Sequence, residues 1–281
     1  MITRRYLALI VFLITLIAST NAQFRYSYLR VGVSGGSTNY LGDLDNDFTF
    51  QYSKPAVGID ASFKFNPLMS ARVSFMRGWA GAADSTSNDL ARNRRNLHFR
   101  TPITEISGQL VIDFIAHERG FRRRPAYVPY VTGGIAVFSF NPQAEINGQL
   151  VELQPIGTEG QFITNGSRTY PEPYALRQIS FPMGAGVRIA LAEQWDLELE
   201  TGFRKTFTDY LDDVSGEYPI ASELFEAAGG GSAGARAVAL SDPDGVAALN
   251  GIRGDRTQAD WYVFTVVRLN YIFDWRRCPK F

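Results

Sequence analysis

Residues 195–215 read WDLELETGFRKTFTDYLDDVS. In an extended chain Trp195, Leu197, Leu199, Thr201, Phe203 and Phe207 share one face, with Lys205 the one charge among them. Asp196, Glu198, Glu200, Gly202, Arg204 and Thr206 share the other. Strand side chains alternate with a period of two, so this segment is apolar on one side and ionised on the other. A helix would wrap those charges through the apolar stripe, so the helical reading fails. A long strand with one oily and one charged face suits the wall of a membrane barrel with a polar lumen. On this reading the strand continues without a turn into the acidic segment Asp209–Ser215.

The same alternation recurs along the chain. It marks Tyr28–Tyr40, Ala56–Phe65, Ser70–Trp79, Thr104–Phe114, Tyr127–Phe140, Gln178–Leu191, Trp195–Phe207 and Trp261–Phe273. In Thr104–Phe114, for example, Ile106, Leu110, Ile112 and Phe114 oppose Glu105, Ser107, Gln109 and Asp113. Eight is the smallest even strand number that closes a membrane barrel, so the fold class is all-β, an eight-stranded antiparallel transmembrane barrel. Connection lengths alternate too. Asn66-Pro67 and Ala192–Gln194 are short, and His117–Ala126 is moderate; these belong to the periplasmic rim. Gly42–Lys54, Gly81–Leu97, Asn141–Leu176 and Asp209–Asp260 are long and face outward, which is the outer-membrane arrangement.

Met1–Ala22 has the makeup of a signal peptide. Arg4 and Arg5 precede the apolar run Leu7–Ile17, and Ser19-Thr20-Asn21-Ala22 ends in a small residue before Gln23. No later stretch approaches the ~18 uninterrupted apolar residues of a spanning helix. Residues 23–281 therefore form one exported barrel domain, placed in the outer membrane with lipid as its surroundings. The 28 basic and 28 acidic side chains balance, which gives no electrostatic reason to expect nucleic acid.

A barrel of this size encloses only side chains. Glu105, Asp113, Arg188, Glu198, Glu200, Arg204 and Arg268 are therefore expected to form an internal ion-pair plug and not a conduction path. Tyr28, Trp79, Tyr127, Tyr130, Trp195, Trp261, Tyr262 and Trp275 lie near strand ends and suit interfacial girdles. The tract Ala227–Ala239, around Gly229–Gly234, reads as a flexible stretch of the last loop.

No catalytic constellation is present. The two histidines, His98 and His117, are expected on opposite sides of the membrane, and no nucleophile elbow or phosphate-binding loop occurs. No cofactor and no small-molecule substrate is indicated. The carboxylates of Asp209-Tyr210-Leu211-Asp212-Asp213-Val214-Ser215 can ligate Ca²⁺ at an extracellular strand end. They can equally cap a turn, or pair with Arg253 and Arg256. Arg122, Arg123 and Arg124, in a basic connection, can hold lipid phosphate or an acidic partner, with a solvated turn the default. Cys278, the single cysteine, is either an incidental thiol or an intermolecular bridge.

Several runs resemble a known family: Leu153–Gln161, Phe181–Arg188, Glu200–Ser215, Arg253-Gly254 with Asp260-Trp261-Tyr262, and the terminal Arg277-Cys278-Pro279. They are similar to PorG and its relatives, outer-membrane barrels of the type IX secretion system of Bacteroidota. The segment Thr208, Asp209, Tyr210, Leu211, Asp212, Asp213 is the more specific part of the match. The resemblance implies a non-enzymatic barrel that anchors or positions the secretion machinery by meeting PorK-type and PorN-type ring proteins at its periplasmic face. His117–Ala126 and Arg276–Phe281 are then the contact surfaces. The alternative is a small pore or other transport barrel unrelated to secretion. The loop Ser222–Asn250 is where departure from those relatives is expected.

Overall fold

The computed structural model describes residues 27–45, 52–116, 121–247 and 251–273. Eight long strands form the wall: β1 (Tyr28–Leu41), β2 (Lys54–Lys64), β3 (Met69–Ala83), β4 (His98–Asp113), β5 (Tyr127–Phe140), β8 (Arg177–Ala192), β9 (Trp195–Thr206) and β10 (Trp261–Phe273). A short hairpin, β6 (Gln143–Ile146) and β7 (Gln149–Glu152), stands between β5 and β8 in the chain. Each long strand pairs antiparallel with its neighbour in the order β3-β2-β1-β10-β9-β8-β5-β4. The additional β3–β4 pairing, from Met69↔Ile112 to Ala83↔His98, joins the ends of that series. The sheet is a closed eight-stranded barrel without a free long edge.

The long strands follow the period-two rule over most of their length. On β9, Asp196, Glu198, Glu200, Gly202, Arg204 and Thr206 are buried, while Trp195, Leu199, Phe203 and Lys205 are exposed. Around the outside Val33, Ile59, Val73, Ile106, Ile135, Ile179, Met183 and Val267 stand exposed, each at least 46% accessible. Water-soluble monomers rarely expose contiguous apolar patches beyond a few hundred Å². A predominantly apolar wall around a polar interior matches hydrocarbon outside. None of the helices among the described residues is long and apolar enough to cross a membrane; this chain's apolar surface lies on strands.

Two strands run further than their alternation indicates. β3 and β4 continue to Ala83 and back from His98, because beyond Trp79 the outward positions turn small or polar (Gly81, Arg100, Pro102) while pairing persists. Between them stands a short helix, α1 (Leu90–Arg95), capped by the Asp89 side chain, which accepts the Ala91 amide. In the loop after β5, Asn147 (φ 52°) and Gly148 (φ 76°) make the two-residue turn of the β6–β7 hairpin. Both φ values are positive, as a type I′ connection requires.

The alanine-rich tract is helical, correcting the flexible stretch expected there. Helix α2 (Ala221–Ala227) is followed by Gly229, Gly230 and Gly231, all with positive φ, and then by α3 (Gly231–Ser241). Alanine is the strongest helix former, and the glycines supply the left-handed link. Leu240 of α3 packs on Ala144 and Leu153 of the hairpin region.

Candidate functional site: the filled lumen and its outer mouth

Six cations (Arg30, Lys64, Arg72, Arg188, Arg204, Arg268) and six carboxylates (Asp60, Glu105, Asp113, Asp196, Glu198, Glu200) project inward from the wall and are buried. The inner half, at the end of the short connections, holds most of them. Glu198 accepts from Arg188 at 2.7 Å, Arg72 at 3.0 Å and Arg30 at 3.1 Å. Glu200 accepts from Arg72 at 2.5 Å and Arg268 at 2.8 Å. Asp113 takes Lys64 at 2.6 Å and Arg188 at 3.0 Å, and Asp60 lies 3.4 Å from Arg268. The Tyr130 hydroxyl donates to Glu200 at 2.8 Å, and its ring lies under Arg188 and Arg72. Tyr130 has room because Gly186 faces it. A Cβ there would lie 2.5 Å from the Leu199 carbonyl oxygen and 2.7 Å from the Tyr130 hydroxyl.

The plug expected from the sequence is therefore present, and larger than the seven residues that alternation singles out. Arg30, Asp60, Lys64, Arg72 and Asp196 belong to it as well. Their inward parity is readable on their strands, but their partners are not.

The inner end is closed by Arg124. Its guanidinium reaches Asp196 at 2.8 Å and donates to the carbonyls of Phe121, Ala192, Glu193 and Trp195. Arg124 thus ties the β4–β5 connection to the β8–β9 turn, and its side chain is 5% exposed. Of its two companions, Arg122 is exposed and pairs with Glu193 at 2.8 Å, and Arg123 is exposed. Cys278, His117 and Trp275 lie outside the described residues.

Above the ionic level the interior changes character. Arg204 meets Glu105 at 3.2 Å, Tyr262 donates to Glu105 at 2.8 Å, and Arg204 stacks over Phe264 at 4.6 Å. Beyond them Tyr40, Phe99, Phe138, Phe140, Leu211 and Val214 form an apolar core. Three aromatics expected in the girdle are corrected here. Tyr28, Tyr130 and Tyr262 are buried inside, each on the inward parity of its strand. Tyr127 and Trp195 are exposed outside, and Trp79 and Trp261 are partly so.

Residues 209–215 lie in the outer mouth. β9 ends at Thr206, so the expected unbroken run into the acidic segment is corrected: the chain bends inward over the lumen. Leu211 enters the apolar core, which carries Asp212 and Asp213 into burial with it. The Tyr40 hydroxyl lies 2.5 Å from Asp212 and 2.8 Å from Asp260. The hydroxyl lies between two carboxyl oxygens and can donate to only one of them at a time. Burial, with neighbouring carboxylates adding to it, pushes Asp212 and Asp260 well above the usual carboxylate range.

Asp213 accepts from Tyr174 at 2.6 Å and from the Thr158 hydroxyl. Arg253 reaches Glu159 at 3.2 Å and Asp213 at 3.7 Å, and Glu159 accepts the amides of Ser215 and Gly216. Among the described residues no group of three or more His, Cys, Asp or Glu is placed to hold a metal ion. Of the readings open for this segment, pairing with Arg253 and turn capping are the ones the geometry makes; the amide of Val214, for example, donates to Asp212 at 2.9 Å. The Thr208 hydroxyl accepts from the Tyr210 amide at 3.2 Å, and the Tyr210 ring stacks on Tyr174 at 4.5 Å. His98, at the outer end of β4, is exposed against the backbone of Glu145.

A closed antiparallel wall, apolar outside and ion-paired within, defines a small barrel of membrane type. A family model described as a domain of unknown function, DUF6089, matches residues 4–226, and the chain belongs to that family. The match ends inside α2. No curated protein matches. Solved structures with partial likeness include Ail, the attachment invasion locus protein of Yersinia pestis, at 8% identity and a TM-score of 0.40, covering 88% of this chain and 99% of that one. Neisserial surface protein A gives 9% and 0.42, with 88% and 97% covered. A major outer membrane protein from Thermus thermophilus gives 13% and 0.37, with 88% and 99% covered.

Proposed function

We propose that this chain is an outer-membrane barrel, exported through Met1–Ala22, that anchors or positions the type IX protein secretion machinery. Its periplasmic face meets PorK-type and PorN-type ring proteins. The observation that carries this reading is the filled interior: ion pairs occupy one level and aromatic side chains the other. A barrel whose lumen holds its own side chains works through its surfaces. On the periplasmic rim Arg122 and Arg123 are the exposed cations among the described residues of the β4–β5 connection, and they are the proposed contact with an acidic partner surface. Arg124 supports them by fixing the connection to the wall. The resemblance of Glu200–Ser215 and the other runs to PorG-like proteins supports the choice of machinery.

The test is a pull-down of the full chain from native outer membrane, with crosslinking from Cys278. Recovery of a periplasmic ring component, reduced in R122E/R123E, is the expected result. Clean monomer from both experiments would remove the secretion role while leaving the barrel. Single-channel recording on purified protein should show no open-channel conductance; steady conductance would turn the reading toward transport.

A further inference from the structure

A cavity of about 1150 Å³ lies at the outer rim, between helix α1 and the loop before β10. Its lining includes Leu41, Trp261 and Lys205. These three are consecutive partners in one row across β1, β10 and β9, Leu41↔Trp261 and Trp261↔Lys205. All three have the outward parity of their strands, so the cavity opens where the apolar wall ends.

The charges there are unevenly committed. Arg95 is spent on Asp84, at 2.6 Å, and Arg253 on Glu159. Lys205 has its ammonium 5.9 Å from the Trp261 ring centre. Arg94 is exposed on α1. Neither makes an ion pair among the described residues. The two acidic liners offer little to these cations. Asp255 accepts from its own neighbours Thr257 and Gln258, and Asp43 accepts the Asp255 amide. The wider wall has the same bias. Among the described residues of the eight barrel strands, the charged side chains on the outward face are Arg77, Arg100, Arg177 and Lys205. All are cations, and all lie toward the extracellular ends. Arg77 repeats the cation-over-indole arrangement with Trp79 at 5.7 Å.

We propose that this cavity holds the phosphate-bearing headgroup of an outer-leaflet lipid. Lys205 and Arg94 neutralise the phosphate, Trp261 sits at headgroup depth, and the acyl chains run down the wall below Leu41. A cationic rim on an otherwise apolar cylinder complements an anionic headgroup layer, and long basic side chains reach such a layer while their stems stay on apolar surface. The inference rests on the membrane reading above and not on the secretion role.

The test uses the full chain folded in detergent micelles and native mass spectrometry with diphosphorylated lipid A, dephosphorylated lipid A and inorganic phosphate as separate probes. Heat-modifiable gel migration checks folding of each variant; failure of the wild-type chain to fold in micelles would sink the membrane reading itself. The expected result is that K205Q/R94Q weakens binding of diphosphorylated lipid A about tenfold. R77Q/R177Q, on the wall but outside the cavity, should leave it unchanged, and the dephosphorylated lipid should bind poorly to wild type. Wild-type affinity in K205Q/R94Q, equal losses in both double variants, or equal binding of either lipid would overturn the site. Binding of inorganic phosphate as tight as that of the lipid would overturn the lipid as its occupant.

Discussion

The inner and outer halves of the barrel interior solve one problem in two ways. Both must fill a narrow space between strands that leave polar atoms facing inward. The inner half uses balanced charges, with Glu198 accepting from three arginines. The outer half uses aromatic rings and carboxyls, with Tyr40 bridging Asp212 and Asp260. The inner solution is built wholly on rigid wall, apart from Arg124. The outer one depends on residues 209–215, a loop that has to fold back into the mouth. Charge pairing is therefore expected to govern the stability of the wall, and proton uptake that of the mouth.

Three variants and one titration can break or sharpen this contrast. The largest effect is expected from Glu198→Gln, which leaves three buried guanidiniums short of a charge. Removing one partner of a buried ion pair costs ~3–5 kcal/mol, read as lost stability in urea titration of the micelle-bound barrel. Tyr40→Phe should cost less, about 1–3 kcal/mol, because it leaves two carboxyls that can share a proton between them. An equal or larger loss for Tyr40→Phe would place the weight of stability in the mouth instead.

The pH dependence separates the two halves. Burial raises Asp213 to about 6 and Asp209 to about 8 from an ordinary 3.8. Asp43 is likewise raised, to about 6. A carboxyl whose folded value is raised binds more protons folded than unfolded, so its contribution is full below about pH 4 and is lost as pH rises toward 8. Amide protection at Leu211, Val214 and Ser215, measured as exchange relative to the intrinsic rate at each pH, should fall across that window while protection in β9 stays constant. A uniform fall in protection would join the halves into one unit. The smallest effect is expected from Arg122→Ala, whose pair with Glu193 is half exposed; stability should change by ~0.5 kcal/mol or less.

Two local signals in the sequence point to structure inside the long loops. Asn147-Gly148 between alternating residues is a hairpin signal within a segment that length alone makes look structureless. The alanine tract carries strong helical propensity, which Gly229–Gly231 disguise as flexibility. For Tyr28, Tyr130 and Tyr262 two signals conflict: closeness to a strand end points to the girdle, and parity points inward. Parity wins, because the pleat fixes the side of every residue on a paired strand. On β5 it already separates Tyr127, which faces out, from Tyr130, which faces in.

The sequence by itself determined the wall: eight strands, their faces, the alternation of short and long connections, and a charged interior. These are readable because period-two alternation is a property of neighbouring residues and needs no partner to express it. Only the tertiary structure decided which charge meets which, as in Arg72 with Glu200, 128 residues apart. It also decided that the acidic run turns inward, since that depends on Tyr40 meeting Asp260 across 220 residues. Closing the sheet brings such pairs together, and no local pattern of charge carries the angle at which it closes.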